Sequence, residues 1–138
     1  MSEEITGGCL CGAVHYTFDR DNALSAHHCH CTDCQKSTGS GKATVVFIPT
    51  AALALKGELK YYTVTGTDGT HVSRGFCPEC GSPVTSRIEE MPDVRLMKAG
   101  TMNDSSWLKI DSNLWSDSAQ AWSPTDETCA SLPKNPVM

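Results

Sequence analysis

The sequence contains no long apolar run. No stretch approaches the roughly 20 apolar residues that a membrane-spanning helix requires, so we expect no membrane partner. The N-terminal residues Met1 to Ile5 are acidic and lack the apolar core of a secretory signal. We therefore expect a cytoplasmic protein, in a compartment where structural disulfides are rare.

The chain also lacks a basic cluster. It has 11 Lys and Arg against 16 Asp and Glu, which gives a formal net charge of -5, and the basic residues are scattered. Non-specific binding to phosphate backbones depends on an excess of Lys and Arg. The composition therefore argues against a nucleic-acid partner.

Regular helical periodicity is scarce, and short β-branched or alternating segments bounded by Gly, Pro and Asp turns are frequent. This pattern predicts a mainly β domain of several short antiparallel strands with little helix. The 138 residues predict one domain, 1–138, with a core over about 6–122 and an irregular C-terminal tail over 123–138. The predicted strands lie at 12–18, 43–48, 59–64, 71–76, 83–88 and 94–99, and a single helical turn is expected within 51–55.

What the chain does have is cysteine, and seven of its eight cysteines form tight groups. A C-x-C pair and a C-x-x-C pair, Cys9 with Cys11 and Cys77 with Cys80, together supply four thiolates. Four thiolates close the coordination sphere of zinc, so this set predicts a structural zinc site. Pro78 constrains the turn, and Gly81 can adopt the positive φ that such a knuckle needs.

Three other interpretations of these pairs remain. A disulfide framework conflicts with the expected compartment and with the strained ring that a bridged C-x-C pair would form. A redox C-x-x-C pair usually opens a helix in a βαβ setting, which this sequence does not offer. An iron–sulfur cluster also accepts four thiolates.

A second group, Cys29, Cys31 and Cys34, supplies three thiolates. Three protein ligands with an open fourth position are typical of catalytic zinc, which would give two zinc ions per chain. Three histidines crowd the same segment, and any of them could close the sphere or act as acid and base near neutral pH. We select His28 and His30 as the catalytic candidates from the set His27, His28 and His30.

The stretch after Cys34 is rich in small residues and is predicted to be a loop. Its backbone N–H groups could bind a carboxylate, with Lys36 supplying charge. The alternative is an ordinary solvated loop. The predicted substrate-binding residues here are Lys36, Ser37, Thr38 and Gly39.

Together, the cysteine groups resemble those of the glutathione-dependent formaldehyde-activating enzymes, a family that includes centromere protein V. The resemblance covers about residues 6–122. It rests on four segments in order, GCLCGAV at 8–14, CHCTDCQK at 29–36 followed by TGS at 38–40, FCPECGSP at 76–83 and KAGTMND at 98–104.

This resemblance implies an Mss4-like β fold, zinc at both cysteine groups, and carbon–sulfur lyase chemistry on a thiol–aldehyde adduct such as S-hydroxymethylglutathione. The implied partner is a small-molecule thiol, with glutathione as the first candidate. Two departures affect the substrate. Asn113 stands where the family often has a His, and Ala121 replaces the usual Pro before the last Trp. Asn113 is therefore also a predicted substrate-binding residue.

Two other classes of function remain open from the sequence. One is a non-catalytic module with two structural zincs that binds a protein partner, and another is metal storage or sensing at the three-sulfur group. The state of the fourth position beside Cys29, Cys31 and Cys34 distinguishes an enzyme from a module.

Overall fold

The computed structural model of the protein describes residues 3–135 and is mainly β, as predicted. Within residues 3–135, four short 3-10 segments join the elements, and we find no helix with the length and hydropathy of a membrane span. The elements are β1 (Glu4–Gly8), β2 (His15–Asp19), β3 (Ser25–Cys29), α1 (Thr32–Thr38), β4 (Ala43–Pro49), β5 (Ala54–Lys56), β6 (Lys60–Thr65), β7 (His71–Phe76), β8 (Pro83–Ile88), β9 (Val94–Lys98), β10 (Ser112–Leu114) and β11 (Ala130–Ser131).

The chain forms two compact units, and the first contains residues up to 24 and residues 46–107. Its small sheet has the strand order β1-β2-β5, with antiparallel pairs. Its larger array runs from the second half of β4 through β9, β8 and β7 to β6, and β6 to β9 pair antiparallel. Alternate strand residues point inward and build the core, which includes Val14, Tyr16, Phe18, Ile48, Val84 and Met97.

The second unit contains residues 25–45 and the chain from 108 onward. Its strand order is β11-β10-β3 followed by the first half of β4, and β10 pairs parallel with both neighbours. Helix α1 ends at Gly39, whose φ of 69° is the left-handed conformation that glycine adopts without strain. Its buried apolar residues include Ala26, Cys34, Ala43, Val45 and Leu114.

The structure contains helix α1 where the sequence analysis predicted a loop after Cys34. The helix begins because the Sγ of Cys31 accepts the Cys34 N–H at 3.2 Å, so a cysteine takes the capping role usually filled by Ser or Asp. The Gln35 and Gly39 N–H groups donate to main-chain carbonyls of Cys31 and Gln35. These two amides are therefore already used within the chain.

The C-terminal segment makes main-chain contacts with β10 and the residues after it. Strand β11 pairs with β10, and the Leu132 N–H donates to the Asn113 carbonyl at 2.8 Å. The Trp115 N–H donates to the Lys134 carbonyl at 3.2 Å, and the Trp115 indole N–H donates to Asn135 Oδ1 at 2.6 Å. The end of the predicted tail, residues 136–138, lies outside the described residues, as do residues 1 and 2.

Candidate metal centres

The four-cysteine group lies in the first unit, where two tight turns approach each other. Cys9 and Cys11 occupy the turn between β1 and β2, and Cys77 and Cys80 follow β7. Glycine permits each turn, because Gly12 has a φ of 80° and Gly81 has a φ of 77°. The four sulfur atoms all lie within 4.8 Å of one another.

The sulfur spacing suits zinc. The Sγ of Cys11 is 3.6 Å from the Sγ of Cys9 and 3.7 Å from the Sγ of Cys77. Thiolates bound tetrahedrally at the usual zinc–sulfur length stand about 3.8 Å apart. The donor set and its spacing therefore fit a closed four-thiolate zinc site.

Ser82 and nearby backbone amides hold these sulfurs in place. The Ser82 hydroxyl lies 3.2 Å from the Cys80 Sγ and accepts the Leu10 N–H at 3.1 Å, which ties the two turns together. The Val14 N–H donates to the Cys9 Sγ at 3.3 Å. The hydrogen bond from Ser82, with help from backbone amides, lowers the pKa of Cys80 to about 5. A thiolate stabilised in this way is ready to bind a metal.

The three-cysteine group lies in the second unit, at the end of β3 and the start of α1. The sulfurs of Cys29, Cys31 and Cys34 lie within 4.8 Å of one another, and Cys34 is buried. Sulfur contacts from Cys31 and Cys34, together with burial, raise the pKa of Cys29. Three thiols so close together can all ionise only beside a cation, so both cysteine groups could hold a metal ion.

Gln35 holds the three-cysteine loop to the C-terminal part of the second unit. Its Nε2 donates to the His30 carbonyl at 2.8 Å and to the Ser118 carbonyl at 2.9 Å. The His30 N–H in turn donates to the Leu114 carbonyl at 3.0 Å, so the ligand loop is fixed on both sides. Gln35 was not among the residues predicted to build the site, and its position next to Cys34 in the motif is the local signal for it.

The three neighbouring histidines have different surroundings. His27 hydrogen-bonds through Nδ1 to the Ser112 hydroxyl at 2.7 Å and through Nε2 to the Ser25 hydroxyl at 2.9 Å. Among residues 3–135, no fourth His, Cys, Asp or Glu donor joins the three sulfurs within the same 4.8 Å span. None of the histidines therefore closes the sphere of the three-cysteine group in this structure.

His28 lies between a hydroxyl and a carboxylate. Its Nδ1 hydrogen-bonds to Thr44 Oγ1 at 2.7 Å, and its Nε2 lies 3.7 Å from Asp126 Oδ2. Burial lowers the pKa of His28, and the charge of Lys42 acts in the same direction. Local sequence gave no signal for Thr44 or Asp126, because both reach His28 only through the fold.

His30 and Asn113 are fully buried. His30 Nδ1 has no hydrogen-bond partner among the described residues, and its Nε2 lies 3.5 Å from Asn113 Oδ1. The Asn113 amide nitrogen donates to the Asp126 carbonyl at 2.8 Å, and the Asp126 N–H donates back to Asn113 Oδ1 at 3.0 Å. Asn113 therefore links the ligand loop region to the tail.

The remaining predicted residues follow the cysteines on α1. Lys36 and Ser37 are exposed, whereas Thr38 is partly covered. The Ser37 and Thr38 hydroxyls donate to the Cys34 carbonyl at 3.2 Å and 2.8 Å. Gly39 follows the last residue of the helix. Of the four predicted residues, Lys36 is the one with a charged side chain, and it lies two residues after Cys34 in the sequence.

A family model described as glutathione-dependent formaldehyde-activating enzyme matches residues 4–118, which include both cysteine groups. The chain belongs to this family. The glutathione-dependent formaldehyde-activating family links the chain to glutathione and formaldehyde chemistry, as the sequence motifs indicated.

A solved structure supports the fold alone. The crystal structure of a Rhodobacter sphaeroides protein is similar with a TM-score of 0.57 and 21% sequence identity, covering 76% of this chain and 96% of that chain. No curated protein sequence matches the chain. Residues 119–135, which supply Asp126, lie beyond the part matched by the glutathione-dependent formaldehyde-activating family.

Proposed function

We propose that the protein is a zinc-dependent carbon–sulfur lyase that joins or splits a thiol–aldehyde adduct, with S-hydroxymethylglutathione as the first candidate. The observation that carries this proposal is the three-sulfur group of Cys29, Cys31 and Cys34, which has no fourth protein donor among residues 3–135. An open position beside three protein ligands is the usual arrangement of catalytic zinc. Family membership supplies the substrate class.

Two zinc ions would have different roles in this enzyme. The structural ion is bound by Cys9, Cys11, Cys77 and Cys80, because four thiolates leave no position for substrate. Cys29, Cys31 and Cys34 hold the second ion. When bound there, zinc supplies a Lewis-acid position for an exchangeable sulfur or oxygen ligand.

The reaction itself is a balanced addition without oxidation or reduction. In the joining direction, the thiol loses its proton, a carbon–sulfur bond forms, and the former carbonyl oxygen gains a proton. We assign the movement of that proton to His28 Nε2, because Thr44 fixes the ring through Nδ1 and Asp126 faces Nε2 at 3.7 Å. His30 is the alternative, although its complete burial favours a supporting role.

Glutathione carries carboxylates that need a cationic partner. Lys36 is exposed on α1 beside the ligand cysteines, so it is the proposed carboxylate contact. Ser37, Thr38 and Gly39 shape the end of the helix near it. Asn113 stays in the proposal as a residue that sets the position of Asp126, since its amide is bonded to that residue's main chain.

We also propose that the protein acts in the cytoplasm. None of the eight cysteines, all of which lie in the described part of the chain, forms a disulfide, which suits a reducing compartment. Glutathione would then be available as the thiol.

The test is the exchange rate between free glutathione with formaldehyde and their adduct, followed by NMR at equilibrium. We expect the zinc-loaded protein to accelerate exchange, His28→Gln to lower the acceleration by roughly 100-fold, and His15→Gln, an exposed control on β2, to leave it unchanged. Lys36→Ala should weaken glutathione binding by about 1 kcal/mol or more, unlike the exposed control Lys56→Ala. Exchange no faster than in buffer would reject the lyase and favour a two-zinc binding module.

A further inference from the structure

Two arginines face each other on neighbouring strands of the first unit. The register of β8 and β9 pairs Arg87 directly with Arg95. Residues in direct register on antiparallel strands project from the same face, with Cβ atoms about 4.5–5.5 Å apart. Arg87 is exposed and Arg95 is half-buried, so both guanidinium groups lie near one surface.

A single tyrosine organises this arginine pair. The Arg87 guanidinium carbon lies 4.0 Å from the centroid of the Tyr61 ring, and that of Arg95 lies 5.9 Å away. Arg95 Nη1 also donates a hydrogen bond to the Tyr61 hydroxyl at 2.7 Å. Both guanidinium groups are therefore held by one ring.

A glycine on the neighbouring strand β7 leaves space for the Tyr61 ring. Tyr61 on β6 is in register with Gly75 on β7, and a Cβ added to Gly75 would lie 2.7 Å from a Tyr61 ring carbon. Any other residue at this position would displace the ring. The positions of the arginine pair and Tyr61 are thus set by backbone packing and side-chain contacts together.

Among the described residues, the arginine pair has no acidic partner. Within residues 3–135, neither Arg87 nor Arg95 forms a salt bridge, although the whole chain carries a net charge of -5. Like charges in direct register repel each other, and contact with one aromatic ring offsets this repulsion only in part. An anion placed between the two groups would relieve the repulsion.

We propose that Arg87, Arg95 and Tyr61 form an oxyanion site for a phosphate or carboxylate group of a small ligand. The guanidinium fork matches both oxyanions and can bind two of their oxygens at once. The stacking on Tyr61 restricts the arginine side chains before the ligand arrives, so less conformational entropy is lost on binding. The site shares no residue with either cysteine group and goes beyond the proposed lyase function.

The test uses the intact zinc-loaded protein and NMR of the arginine Nε–Hε groups. Inorganic phosphate and acetate are titrated separately at constant ionic strength, with chloride as the screening control. We expect the Arg87 and Arg95 signals to shift saturably with one or both oxyanions, and the arm that saturates identifies phosphate or carboxylate as the ligand group. Arg87→Lys and Arg95→Lys assign the signals and should weaken binding about tenfold, because the fork is lost.

Matched variants keep the proposal falsifiable. Arg87→Gln should abolish the response, and since Arg87 is exposed, this variant carries the test if Arg95→Gln disturbs folding. Lys56→Gln removes an exposed charge elsewhere in the same unit and should change nothing. No saturable shift, an equal shift with chloride, or an unchanged response in Arg87→Gln would overturn the proposal. None of these readouts depends on lyase activity.

Discussion

Cys77 and Cys31 connect different parts of the chain. Cys77 is fully buried and lies in a turn that is distant in sequence from Cys9 and Cys11, with which it forms the four-cysteine group. Cys31 belongs to a group whose members are all local, and it also caps helix α1. The same substitution should therefore have different consequences at the two positions, because metal binding couples to folding most strongly where it closes a long loop.

We expect Cys77→Ala to leave only three of the four zinc ligands in the four-cysteine group and to yield insoluble or unfolded protein. Cys31→Ala should lose one zinc per chain and retain the β circular dichroism spectrum. Cys129→Ser serves as the control, because Cys129 belongs to neither group and should leave both ions bound. Circular dichroism and elemental analysis measure the outcome. Equal collapse of the two alanine variants would mean that the three-sulfur site is structural as well.

Glycine 57 offers a residue-scale test of the fold. Gly57 has a φ of 100°, and a Cβ there would clash with the Ala13 carbonyl oxygen. Gly69 has a φ of 87° but open space around the added atom. We expect Gly57→Ala to lower the free energy of unfolding by about 3 kcal/mol and Gly69→Ala by about 1 kcal/mol. Urea denaturation that gave equal losses would contradict the steric account.

Among the strands and the helix, those with a local sequence signal were predicted, and those that depend on distant residues or on an unusual cap were missed. Strands β7 and β8 match their predicted bounds, because alternation and turn residues are local signals. Strand β3 carries His and Cys where apolar residues are usual, and it is stabilised by parallel pairing with β10, which no local pattern reveals. Helix α1 was missed because its cap is a cysteine that sequence analysis assigned only to metal.

The position of the C-terminal segment around Asp126 depends on hydrogen bonds with the Asn113 side chain. Because this amide exchanges two hydrogen bonds with the Asp126 main chain, Asn113→Ala should leave buried polar groups unpaired and lower the free energy of unfolding by about 2 kcal/mol. The control Asp117→Asn removes an exposed ion pair to Lys134 at 3.6 Å and should cost under about 1 kcal/mol. Urea denaturation with Trp fluorescence measures both. A loss for Asn113→Ala no larger than the control's would show that the amide contacts are not stabilising.

An ion pair joins β7 to the turn after β8 and gives a pH dependence. His71 Nδ1 lies 2.7 Å from Glu90 Oε2, and this hydrogen bond raises the pKa of His71 and lowers the pKa of Glu90. The His71 contribution is fully present below its ordinary pKa of 6.5 and is lost as pH rises through the raised value. The Glu90 contribution is fully present above its ordinary pKa of 4.5 and is lost as pH falls through the lowered value.

Both contributions are therefore complete between pH 4.5 and pH 6.5. We expect His71→Gln to lower the melting temperature most in this interval and little above about pH 8. His15→Gln is the control, since His15 has no acidic partner in the described part of the chain. A melting-temperature difference for His71→Gln that does not vary with pH would contradict the assignment.

For the whole molecule, the sequence was informative where chemistry is concentrated in short segments. The grouped cysteines and their family were recognisable because each ligand pair lies within a few residues, and the family assignment is confirmed. The surroundings of the three-sulfur group were not predictable. Thr44 and Asp126 reach His28 from other parts of the chain, and the Asp126 segment lies beyond the family match.

We propose that Cys29, Cys31 and Cys34 hold a metal whose fourth position accepts a thiol. This can be measured by absorption spectroscopy of the cobalt-substituted protein during titration with glutathione, because an added thiolate ligand strengthens sulfur-to-metal charge transfer. We predict that the charge-transfer band grows and saturates at one glutathione per chain, and that Cys31→Ala abolishes this response. A spectrum that stays unchanged with both sites loaded, for glutathione and for other small thiols, would contradict the claim.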